Sequence, residues 1–188
     1  MSRTEAGPRI GAEYAWVRRP EPCVLELVSK LAREPWTDRP TCVHPVLAAV
    51  ARVVHDHCSA GGRRSLLPLA PLFLDTARPG FDLSARLVAL CVSTALAGPG
   101  ELTKDERSRL RNGQDTAAYL LAGRPGAPPG GPIRWWFPAL DRLNLSEPFY
   151  RTVVATEHAA EAVVVAARGG DHDVWLKRLL RQCLALAS

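Results

Sequence analysis

Leu83-Ser84-Ala85-Arg86-Leu87-Val88-Ala89-Leu90-Cys91-Val92-Ser93-Thr94-Ala95-Leu96-Ala97 is the stretch whose reading decides the fold class. Wound as a helix, it carries apolar residues on every side (Leu83, Leu87, Val88, Leu90, Cys91, Val92, Leu96). Such a helix is stable only when other elements surround it. The stretch therefore predicts a central helix over 83–97. Asp82 is its expected cap, and Pro79-Gly80 ends the element before it.

Composition agrees. The 188 residues include 27 Ala and 25 Leu but only 2 Ile, so good helix formers outnumber β-branched residues. A hydrophobic share of 47% excludes intrinsic disorder, and the lack of a Gly period excludes a collagen-like chain. No segment alternates with period 2 for long, and no repeat is evident. The expected architecture is all-α, a single-domain bundle of about seven helices around the central one.

Outward from the centre, the prolines and glycines divide the chain. Residues 1–20 read as an N-terminal arm and 21–188 as the helical domain. A first helix is expected over 21–34 with Leu25, Val28, Leu31 and Ala32 on one face. Pro45 opens a second, over 45–58, that stops near Gly61-Gly62. Pro68 and Pro71 both fit the first turn of a helix starting at Pro68, where backbone N–H groups lack partners anyway. Thr103 and Glu106 have capping-box spacing and start a helix to about Leu121, weakened by Gly113. From 123 to 134, eight of twelve residues are Gly or Pro, which makes a loop. A short helical piece follows near 138–143. Ser146 caps a long helix over 147–168, stopped by Gly169-Gly170. Asp171 or Asp173 starts the last, with Trp175, Leu176, Leu179, Leu180, Cys183 and Leu186 on one face.

Several function classes fall away. The N-terminal residues lack an apolar core for a secretory signal, and the longest apolar run, 66–74, is far short of the ~20 residues a membrane span needs. A cytoplasmic protein without membrane association is expected. Its five cysteines, Cys23, Cys42, Cys58, Cys91 and Cys183, are odd in number and form no CxxC pair, which suits reduced core residues. The net charge of +5 is scattered. Arg107, Arg109 and Arg111 sweep about 200° of a helix, and no aromatic platform accompanies them, so nucleic acid is not an expected partner.

Cys42, His44, His55, His57 and Cys58 resemble a zinc set at first sight. Distance opposes it, because His44 and His55 lie about 16 Å apart along a continuous helix. Only His55 and Cys58 share a face. No metal and no cofactor is expected. Cys42 beside a helix start could feel the dipole as a nucleophile, but no local signature supports this, and the simpler reading packs Cys42 inward with His44 near the cap.

Chemistry concentrates on the long helix. At 100° per residue, Tyr150, Glu157, His158, Glu161 and Arg168 fall in one sector with Arg151 at its edge, opposite Ala155, Ala159, Ala160, Val163 and Ala166. A solvated polar stripe is the plain explanation. Lining a cleft instead, Glu157, His158 and Glu161 would serve as a general acid–base set. Arg134, Trp135 and Trp136, after the Gly/Pro loop, join Tyr150 and Arg151 as candidate ligand-binding residues. The expected function is binding of a small polar or anionic ligand, with or without cofactor-independent acid–base catalysis. The alternative is a helical adaptor that binds a partner chain, or its own copy, through its C-terminal helix and the Trp-Trp-Phe segment.

Overall fold

A computed structural model of the chain describes residues 22–168 and 172–188. The expected N-terminal arm, the Gly169-Gly170 stop and Asp171 lie outside the described residues. Within them the chain is an all-α bundle without strands. Its elements are α1 (Val24–Leu31), α2 (Pro45–His57), α3 (Ala60–Leu66), a 3₁₀ segment (Leu67–Phe73), α4 (Phe81–Ala97), α5 (Lys104–Leu121), α6 (Ile133–Asp141), α7 (Ser146–Phe149), a π-wound turn (Tyr150–Val154), α8 (Ala155–Ala166) and α9 (His172–Ala187).

The central position of α4 follows from its composition. Ser84, Ala85, Leu87, Val88, Cys91, Val92 and Ala95 are buried, and α2, α5, α8 and α9 all pack against it. Its start differs from expectation. Gly80 is the cap, at φ 119°, a conformation glycine adopts without side-chain strain. Asp82 instead sits in the first turn and pairs with Arg86 at 2.8 Å.

Local chemistry sets the other boundaries. The Thr103–Glu106 capping box forms as expected, with Thr103 Oγ1 accepting from the Glu106 N–H. Glu106 gains a second role, an ion pair with Arg168 at 2.7 Å that ties the start of α5 to the end of α8. At α2 the His44 side chain is itself the cap, accepting from the Val46 N–H, with Pro45 in the first turn.

Three segments depart from expectation. Gly61-Gly62 does not end a helix but belongs to α3, capped by Ser59. A Cβ at Gly62 would lie 2.5 Å from the Asp173 carboxylate, so the glycine makes room for α9 to dock. Asp173 accepts from the Ser59 N–H at 2.9 Å and also pairs with the Ser59 hydroxyl. Pro68 does open a helical segment, but one of 3₁₀ type with Pro71 inside it. Finally, α6 begins at Ile133 and so contains the Trp-Trp-Phe run expected to precede a helix at 138.

Candidate functional site

The long C-terminal helix begins where expected and then changes its winding. Over Tyr150–Val154 the ladder is of π type, with the Ala155 N–H donating to the Tyr150 carbonyl five residues back. Two threonines compete for carbonyls in this region. Thr152 Oγ1 donates to Pro148 O at 2.6 Å, and Thr156 Oγ1 to Val153 O at 2.7 Å. Such side-chain back-bonding perturbs a regular helix. Nor does Ser146 cap; its hydroxyl donates to Asp141 Oδ1 at 2.8 Å instead.

The turn has a consequence for the polar stripe. A π turn takes about one residue more than an α turn, so Tyr150 lines up with Ala155 and Ala159 and not with Glu157. Tyr150 is fully buried, as are Ala155, Ala159, Ala162 and Val163, while Glu157 is exposed. The single sector inferred from uniform 100° steps therefore splits in two.

On its buried side, Tyr150 completes an aromatic cluster. Its ring stacks on Trp136 at 6.2 Å with 15° between planes, and Phe81 lies 5.9 Å away. Trp136 also meets Phe137 and Phe149. The Arg124 guanidinium covers the Phe81 and Phe137 rings at 5.4 and 5.6 Å and donates to Asp141 Oδ1 at 3.0 Å. The Tyr150 hydroxyl has no hydrogen-bond partner among the described residues. Burial pushes its phenol well above the ordinary value, so it is a neutral donor.

Polar groups adjoin this cluster. Arg151 Nε lies 2.9 Å from Glu147 Oε1, which also accepts from the Gly80 N–H at 2.9 Å. His44, fully buried, sits between the Val46 N–H, accepted by Nδ1 at 3.3 Å, and Ser84 Oγ, 3.3 Å from Nε2. Burial, helped by the Arg151 charge, lowers its pKa to about 4. The ring is thus neutral near pH 7. With Nδ1 accepting, the proton resides on Nε2 and is donated to Ser84. The pair has the composition of a nucleophile and its base but the opposite polarity, so Ser84 is not activated.

Elsewhere the other candidate residues separate. Glu161 Oε1 is 2.5 Å from Arg109 Nε, an ion pair between α8 and α5. His158 is half-buried against α5, where a Cβ at Gly113 would approach its ring to 3.1 Å. Burial lowers its pKa, against the opposing charges of Glu161 and Glu157. Arg134 is exposed and Trp135 is 86% exposed, while Trp136 one residue later is packed. The structure thus brings Trp136, Tyr150 and Arg151 together and sends Arg134 and Trp135 to solvent.

The cysteines are free thiols, all buried except half-buried Cys42. Cys42 shows no activation; burial and the Glu34 charge raise its pKa. Cys91 and Cys183 lie 3.8 Å apart between α4 and α9. Among the described residues no three His, Cys, Asp or Glu side chains are grouped to hold a metal ion, and no helix is long and apolar enough to cross a membrane.

No protein-family model, curated protein or solved structure matches this chain.

The site therefore rests on its own geometry. Sequence reasoning missed Arg124, Glu147, His44 and Ser84 as its neighbours. His44 alone left a signal, its position before Pro45 at a helix start. Arg124 lay within a Gly/Pro run read as featureless, and Ser84 within the apolar central helix.

Proposed function

We propose that the protein binds a small polar or anionic molecule at the π-wound turn. Tyr150 would donate a hydrogen bond to it, the terminal guanidinium nitrogens of Arg151, beyond the Nε held by Glu147, would meet its charge, and Trp136 would lie against its apolar part. The observation that carries this reading is the fully buried Tyr150 hydroxyl without a partner. A buried donor left unpaired costs about 1–3 kcal/mol. Such a cost persists most readily where function uses the group. π-wound turns are also frequent at functional sites. Binding is favoured over catalysis because Glu161 is committed to Arg109 and Glu157 lies on the exposed face.

The test combines stability with binding. Tyr150→Phe should leave the free protein as stable or raise its stability by about 1–2 kcal/mol in urea unfolding, since the unpaired group is removed without loss of shape. Phosphate, acetate and benzoate serve as probes in thermal-shift titrations. At least one should raise the wild-type melting temperature saturably and fail to do so with Tyr150→Phe. Loss of stability in the variant, with no probe shifting the wild type, would overturn the proposal.

A second reading, binding of another polypeptide, is favoured by the apolar groups left exposed on the bundle. Trp135 on α6 is the largest of them, and aromatic side chains anchor interfaces.

A further inference from the structure

The central helix was expected to be covered on all sides, and one strip of it is not. Ala89 and Leu90 of α4 open onto a groove of about 640 Å³ completed by Leu121 at the end of α5 and by Ala185 and Leu186 of α9. Leu121 and Leu186 are 40% and 39% exposed, so apolar surface is left uncovered at two neighbouring helix ends. The polar members of the lining are Asp82, Arg86 and Gln182. A groove with an apolar floor between helices suits the apolar face of an amphipathic helix.

Charge selects among occupants. Asp82 is already paired with Arg86. One turn before Gln182 and Ala185 on α9 stand Arg178 and Arg181, both exposed. Neither has an ion-pair partner among the described residues. The chain as a whole carries +5. A second copy seated on this face would bring its own arginines to the same rim, and like charges disfavour that contact.

From this we infer that the groove between α4 and α9 docks an amphipathic helix of a partner protein whose apolar stripe is flanked by Asp and Glu. The inference rests on the reading of the chain as an interaction protein and is independent of the Tyr150 turn. The flanking carboxylates would meet Arg178 and Arg181 at the rim while apolar side chains one turn apart fill the groove.

Three labelled helical peptides of about 18 residues test it by fluorescence anisotropy against the full chain. They share one Leu face and differ only in flanks of Glu, Gln or Lys. The Glu peptide should bind about tenfold more tightly than the Lys peptide, a ratio within reach of a few rim ion pairs. Arg178→Glu with Arg181→Glu should reverse the order, and Leu186→Asp should abolish binding while circular dichroism stays unchanged. Equal or tighter binding of the Gln or Lys peptide overturns the acidic partner and leaves the groove as a docking site. Failure of all three peptides, or binding insensitive to Leu186→Asp, overturns the docking site itself. Sedimentation of the chain alone completes the test. A dimer lost in Leu186→Asp assigns the face to a second copy and overturns the inference.

Discussion

His44 concentrates much of the physics of this molecule in one side chain. It caps α2, anchors Ser84 of α4 and is fully buried, and its pKa is about 4 against an ordinary value of 6.5. Between those two values the unfolded chain holds a proton that the folded protein excludes. Stability contributed by the neutral ring is therefore complete above pH 6.5 and is lost as pH falls towards 4. The size is of the order of 3 kcal/mol. Urea unfolding at pH 7 and pH 4.5 should show that slope. His44→Asn puts a capping oxygen in place of the Nδ1 acceptor but does not titrate, and the slope should flatten. An unchanged slope in the variant would remove His44 as its source.

Among the elements, the contact between α5 and α8 shows how far pattern reading extends. Gly113 in mid-helix looked like a weakness, because glycine costs about 1 kcal/mol relative to alanine there. It is a packing site, since the His158 ring fills the space a Cβ would need. Gly113→Ala should therefore yield little of the usual gain, and Gly113→Ala in a His158→Ala background should recover about 1 kcal/mol. A chemical-denaturation cycle measures the difference, and additive effects would contradict the contact. Element existence was legible wherever caps and period agreed, as at Thr103 and Glu106. The winding change at Tyr150 was not, because it arises from hydroxyl competition for carbonyls and leaves the sequence period almost intact. Trp136, Tyr150 and Arg151 were picked out for their chemistry, whereas the departure of Glu157 from them depended on that hidden turn. Arg124 and Ser84 join the site through contacts across 17 and 40 positions of chain, beyond any local pattern.

For the whole bundle, two ion pairs join α5 to α8, Arg168 with Glu106 and Arg109 with Glu161. Arg168 and the Thr103 cap hold the Glu106 carboxyl at about 2, below its ordinary 4.5. A depressed carboxylate adds stability above its unfolded pKa and loses it as pH falls through the folded one. Acid should therefore weaken the protein in two stages, first below pH 6.5 through His44, joined by the half-buried His158, and then from 4.5 to 2 through the carboxylates held low, Glu106 foremost. Arg168→Gln should diminish the second stage and leave the first, as unfolding midpoints across that range would show. A second stage of unchanged depth would exclude the pair.

The π-wound turn also bears on how the chain can change length. Its extra residue is absorbed locally, at a place where Thr152 and Val153 face solvent. With either gone, Tyr150 and Ala155 would stand four positions apart, the natural spacing of one helix face, and the elements on both sides could keep their present orientations. Chain length is free to vary by one residue at this point, where elsewhere in a buried helix a single loss turns every following side chain to the wrong face. A descendant shortened there would keep the bundle, with Tyr150 still beside Ala155 and apart from Glu157, on an ordinary α-helical turn.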